Sequence, residues 1–409
     1  MESIFVSKNY IYDQYNKGKN LILFGASEIS RKTKKTFKQI KFSYIIDNSQ
    51  NLWGQQEEEL KIFSAEKLKK ISKNKSLIVI TTTSFNAVKK QLNKMGFKDH
   101  FDFVVSPVLN DLISINQLEQ IKSKIIFSSG APPLTSKEEG GGIYELIIDR
   151  EKHFLNKKIS GNCYGITHYR KNFITIDNNR GIVEFNKNYK IIRSQKLPKN
   201  IRPHGISYSE EFKNFYIVCS NTDEILILNQ NFEFKDSFKL SSKAKASKIP
   251  IHHANDCFVS GNSLYVSMFS ETGNFINDIY DGAICEYDLI NKKKIGTPVK
   301  NLWMPHNISK FNNDFYLLDS LRGNLLGNNM TIQGTFNAFT RGLDYHDDLF
   351  YIGQSKNRNF SKTMGISNNN SIDCGIIIFN NEKKISRFFQ FPPSISEIHS
   401  IRVMRTKKN

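Results

Sequence analysis

Apolar and polar positions alternate in short runs along the chain, and the pattern changes near residue 125. Before that point, apolar runs at 21–24, 42–46 and 77–81 predict buried strands. Amphipathic stretches from Arg31, over 65–71 and over 85–95 predict helices, the last stopped by Gly96. This alternation predicts a parallel, Rossmann-like sheet over residues 1–108. Residues 109–124 read as a helical connector. Beyond it, strand-length runs of Ile, Phe, Tyr and Val recur between polar turns, with no helical period.

A signature punctuates these runs. It reads Tyr164-Gly165-Ile166, Pro203-His204-Gly205-Ile206, His252-His253-Ala254-Asn255, Pro305-His306-Asn307-Ile308, Arg341-Gly342-Leu343 and Glu397-Ile398-His399. The returns are 35 to 56 residues apart, each followed by several strand-like runs. That interval, at four strands per repeat, predicts a six-bladed β-propeller over 125–409. The last signature leaves too few residues to finish a blade. Its strand is therefore expected to pair with the runs at 125–160, closing the ring without a free sheet edge.

A propeller brings equivalent positions of every blade to one axis, so the polar residues of the signatures should meet there. His204, His253 and His306, with His399 as a fourth, are candidate ligands for a divalent metal, zinc or calcium. Asp319 or Glu397 would serve as base, and Arg202 or Arg341 would hold an anionic group. The competing reading is a set of buried polar groups that bond one another and water. His252 and His253 cannot both face inward from one strand, and His253 is favoured. Polar insertions at 241–251, 270–281 and 356–374 are placed to overhang the axial mouth.

In the first part, Gly25 allows a tight turn into a helix whose amides can face a phosphate. Ser27 and Glu28 follow it. Asp47 and Asn48 end the second strand, where an acid can bond a ribose. These residues are the candidate site for a nucleotide or nucleotide-sugar, although serines stand where GxGxxG has its later glycines. The competing reading gives Gly25 to the turn and Asp47 to a loop.

Two resemblances follow from these residues. Phe24-Gly25-Ala26-Ser27-Glu28-Ile29, Ile46-Asp47-Asn48, Trp53-Gly54, Ile80-Thr81-Thr82 and Met95-Gly96-Phe97 resemble a small Rossmann-like domain. That domain is often attached to bacterial enzymes of surface-polysaccharide and sugar-nucleotide metabolism. The likeness covers about residues 18–105 and implies a glycan-biosynthesis setting. Pro305-His306-Asn307-Ile308 with Leu318-Asp319-Ser320 and Gly323-Asn324-Leu325 is similar to an uncharacterised bacterial propeller family. His252 to Asp256, Asp281-Gly282 and Glu286-Tyr287-Asp288 also fit its pattern.

Composition adjusts this picture only slightly. The net charge of +19 comes from lysines scattered through turns, so a solvated basic surface or an anionic ligand is expected rather than nucleic acid. The five cysteines form no CxxC pair and fall mostly in strand-like runs, which predicts buried thiols in a reducing compartment. With no signal peptide or membrane-length apolar run, a cytoplasmic protein is expected. There is no GxSxG elbow, P-loop, HExxH or kinase signature. Two functions therefore compete: an enzyme, a metal-dependent lyase or hydrolase acting on a sugar-linked substrate at the axial mouth, and a non-catalytic scaffold that binds a glycan or protein and carries a nucleotide-sensing N-terminal domain.

Overall fold

The computed structural model describes residues 4–130, 140–327, 329–356 and 371–404. The chain divides into two units, Met1–Leu118 and Glu119–Asn409.

The first unit is a six-stranded mixed sheet. Its order is Gln56–Glu57, Leu60–Phe63, Phe42–Ile46, Asn20–Phe24, Ser76–Ile80, Phe103–Val105. The last five run parallel, and Gln56–Glu57 pairs antiparallel with Leu60–Phe63. Both faces are covered, as a parallel sheet requires. Ile22, Phe24, Ile78 and Ile80 pack into one core, and Leu21, Leu23, Leu77 and Val79 into another. The expected helix over 65–71 is a 3₁₀ segment, Ala65–Lys70. The connector is shorter than expected: helix Asn110–Glu119 ends it, and Lys122 already opens a strand.

The second unit is a six-bladed β-propeller, each blade a four-stranded antiparallel sheet. The inner strands are Cys163–Tyr169, Pro203–Ser209, Ala254–Ser260, His306–Phe311, Phe339–His346 and Ser400–Val403. Each touches the next, and Ser400–Val403 touches Cys163–Tyr169, so the ring is closed. Ser400–Val403 pairs antiparallel with Lys122–Ser129, Ser400 opposite Ser128. The sixth sheet thus combines the chain's last described strand with three strands from 122–160. Apolar residues fill the spaces between blades, and all five cysteines are buried free thiols there.

The first five inner strands slip register at the signature. The reason lies at the axis. A side chain on Gly165 would stand 2.9 Å from the His204 carbonyl, and one on Gly205 would stand 2.3 Å from Asp256. Gly342 (φ +84°) and Asn307 (φ +47°) adopt left-handed backbone at equivalent places. Neighbouring strands come too close there for ordinary side chains.

Candidate functional site at the propeller axis

The signature has one three-residue logic in every blade. Its first residues are Tyr164, His204, Asn255, His306, Arg341 and His399. The second are Gly165, Gly205, Asp256, Asn307, Gly342 and Ser400, at the narrow place. The third are Ile166, Ile206, Cys257, Ile308, Leu343 and Ile401, all buried in the blade cores. The first residues form a ring around the axis, and all six enclose one water-sized void of about 10 Å³. Two positions earlier in the same register stand Asn162, Arg202, His253, Met304, Phe339 and Glu397. Arg202, His253 and Met304 share left-handed backbone (φ +47°, +50°, +52°).

Above the ring lies a cavity of about 440 Å³. The basic and imidazole side chains on its wall are Arg202, Arg341, Lys356, His204, His253 and His306, and its apolar wall is Phe269, Phe275 and Phe339. Asp278 and Tyr280 from the 270–281 insertion complete it, so that insertion does reach the mouth. In the 356–374 insertion, Lys356 lines the cavity, and 357–370 lie outside the described residues.

Hydrogen bonds fix the state of the ring. Arg341 Nη2 donates to Nδ1 of His399 at 2.6 Å, which puts the His399 proton on Nε2, 3.2 Å from Glu397 Oε2. Glu397 Oε1 is also 3.9 Å from Arg341. Nδ1 of His306 faces the Met304 carbonyl at 2.9 Å and Ser320 Oγ at 2.8 Å. A carbonyl only accepts, so the proton is on Nδ1 and Nε2 carries the lone pair. Tyr164 lies against both His204 and His399, ring centroids 4.6 and 4.5 Å away. Burial pushes the His204 and His306 pKa values well below 6.5, and Arg341 lowers both further. Burial likewise lowers His253 to about 3, aided by Arg202 and Arg341. The imidazoles are therefore neutral, and the positive charge of the cavity rests on its arginines and lysine.

Below the ring the shaft is tied shut. Asn307 Nδ2 donates to Asp256 Oδ2 at 2.7 Å, and its Oδ1 accepts from Gly342 N at 2.5 Å. Burial raises the Asp256 pKa to about 6. A separate cavity of about 320 Å³ opens beyond this tie, with Asp256, Asn307, Asp344 and Arg402 on its wall.

The expected site residues divide accordingly. Arg202, Arg341, His204, His253 and His306 share the cavity, while His399 and Glu397 brace Arg341 from behind. His252 is buried between Ser241 Oγ and the Ser270 carbonyl, away from this wall. Asp319, one of the two expected bases, stands outside the cavity. Its carboxylate accepts from Trp303 N at 2.6 Å and from Arg322 at 3.0 Å, and it does not line the cavity. For the candidate metal centre, no group of three His, Cys, Asp or Glu side chains arranged to hold an ion is found among the described residues. One imidazole nitrogen of His399 is already taken by Arg341. Sequence reasoning did not single out Phe269, Phe275, Phe339 and Lys356, because apolar and lone basic residues carry no motif; their signal was adjacency to the signature and to the insertions.

In the first unit, Gly25 (φ +117°) makes the turn, where a side chain would stand 3.0 Å from Thr81 and Thr82 atoms. Ser27 caps helix Glu28–Thr36 and donates to the Thr81 carbonyl at 2.8 Å. Asp47 Oδ2 accepts from Ala26 N at 2.7 Å, occupying an amide of the turn that would otherwise face a phosphate. Asn48 pairs with Gln91, and exposed Glu28 pairs with Lys32. The Ala26 and Ser27 amides of the turn are thus held by the Asp47 and Ser30 side chains.

Among solved structures, the fold is similar to a nidogen–laminin complex (10% identity, TM-score 0.48, 69% of this chain and 98% of that one). It is also similar to a protein of unknown function from Bacteroides caccae (12%, 0.49, 70% and 100%) and to a calcium-binding regucalcin from Agrobacterium tumefaciens (9%, 0.39, 55% and 72%). No curated protein matches the chain in sequence. Residues 162–409, well over half of the chain and including all six signature-bearing inner strands, match the family model described as "Domain of unknown function (DUF4915)", and the chain belongs to that family.

Proposed function

We propose that the propeller binds a small anionic, sugar-linked ligand in its axial cavity, and that the protein works in surface-glycan or sugar-nucleotide metabolism. One observation carries the reading. Arg202, Arg341 and Lys356 converge with neutral histidines and an aromatic wall on one concave space. A cavity with a few placed polar groups and apolar walls suits a small ligand. The cations supply attraction and orientation for its anionic group. The Phe residues suit the C–H face of a sugar ring. The glycan setting rests on the likeness of residues 18–105 to an accessory domain of polysaccharide enzymes. We read that domain as a Rossmann-like accessory, since Asp47 already holds the Ala26 amide.

Binding is favoured over catalysis because both expected bases are engaged, Asp319 with Trp303 and Arg322, and Glu397 beside Arg341 and His399. The test is thermal stabilisation by a panel of neutral and acidic sugars, on the wild type and on Arg202→Ala with Lys356→Ala. Acidic sugars should raise the wild-type Tm, and the double variant should lose most of that shift. Equal shifts in both proteins, or none with any acidic sugar, would refute the reading.

A further inference from the structure

Resting on the reading of the axial cavity as an anionic-ligand site, we infer that its ligand is a chain rather than a single sugar: an acidic oligosaccharide that extends into a second subsite between the first two blades. Arg202 joins the two places. It lines the axial cavity and also a neighbouring groove of about 460 Å³, so the two spaces meet at its side chain. Each space alone lies within the range of small-molecule sites. The groove wall also carries Lys196 and Lys199. Both lysines and Arg202 are exposed, and none of the three forms an ion pair among the described residues. The carboxylate on that wall, Asp177, is already engaged. Its Oδ1 accepts from the Asn179 and Arg180 amides at 2.8 and 2.7 Å, and its Oδ2 faces the Arg180 guanidinium at 3.5 Å. The groove is therefore a cationic continuation of the axial cavity.

The segment carrying these cations is fixed at both ends. At the first blade, Gly181 (φ +85°) lets the Gln195–Leu197 backbone pass where any side chain would strike it. At the second, the Arg202 carbonyl accepts from Ser220 N at 3.0 Å, and the Ile201 carbonyl from Asn221 N at 3.2 Å. Between these ties, Ile201 is buried in the core shared by the two blades, and Leu197 packs against it. The groove is thus formed before a ligand arrives, and little loop ordering opposes binding. Asn179, Asn200 and Asn221 line it with amides that both donate and accept, as sugar hydroxyls do. Its wall has no aromatic side chain among the described residues, whereas single-stranded nucleic acid is held by bases stacked on aromatic rings. Anionic groups set apart by hydroxylated rings meet these demands, whether the anion is a carboxylate or a phosphate.

The experiment is calorimetric titration of the full chain with two series. One is galacturonate and its tetramer; the other is glucose 6-phosphate and a maltotetraose phosphorylated on its 6-hydroxyls. In at least one series the tetramer should bind about tenfold or more tightly than the monomer, and that series identifies the anionic group. Lys196→Ala with Lys199→Ala, two exposed positions, should remove most of this gain and leave the monomer's Kd within about twofold. Tetramers no tighter than monomers in both series would overturn the second subsite and leave the axial reading standing. The double variant weakening monomer and tetramer alike, with an unchanged Tm, would also overturn it. A single-stranded oligonucleotide binding as tightly as the better tetramer would overturn the oligosaccharide assignment. Binding of no anion would overturn both readings.

Discussion

At the residue scale, the site depends on keeping imidazoles neutral next to guanidinium groups. This has a pH consequence. His204 and His306 have folded pKa values well below the ordinary 6.5, so below that pH the unfolded chain binds more protons than the folded one. Stability should therefore fall as pH drops from about 6.5 toward the folded values. His306→Gln should flatten part of that fall. Urea-unfolding midpoints measured between pH 7 and 4.5 check this, and parallel profiles for the two proteins would contradict it. The recurring histidines were legible because the signatures place one polar residue before a glycine or a short polar residue. The third blade was harder to read. His252-His253 attracts attention there, yet Asn255 holds the place in the ring and His253 stands two positions earlier beside Arg202 and Met304 in register. Asn sits unobtrusively among turn residues, so its role appears only once the blades are aligned in space.

At the element scale, Asp319 shows how a repeat can imitate a catalytic motif. Asp177 and Arg180-Gly181 recur as Asp319 and Arg322-Gly323. Each arginine reaches the outer strand of the preceding blade, Arg180 to the Ser160 carbonyl at 2.8 Å and Arg322 to the Asn301 carbonyl at 2.7 Å. Each glycine has positive φ, and a side chain would strike Gln195 or Phe336 backbone at 2.2 or 2.0 Å. The motif is a clasp between blades. Asp319→Ala should therefore cost about 1–3 kcal/mol, the range for leaving a buried N–H such as that of Trp303 without its acceptor. Ligand affinity should not change. Chemical denaturation and titration of the same preparation decide the point; lost binding with unchanged stability would return Asp319 to the site. The strand runs themselves were plain in sequence, since alternation and β-branched composition report local structure directly. The limits of the connector were not, because Lys122–Lys124 are polar residues that join a strand only through pairing with Ile147–Asp149.

At the scale of the whole molecule, six-fold repetition was legible from spacing, and it is what gathers distant residues at one axis. The cavity's apolar wall and the tie formed by Asn307 and Asp256 were not, since both arise from contacts between strands far apart in sequence. The same tie separates two axial cavities of unlike chemistry, and the account assigns the ligand to the one holding Arg202, Arg341 and Lys356. The most direct measurement is a crystal structure grown with glucuronate. The account predicts the sugar in this cavity, its carboxylate on the cationic side chains and its ring against Phe269, Phe275 or Phe339. A ligand bound at the opposite mouth or on the N-terminal unit, with the axial cavity holding only solvent, would contradict it.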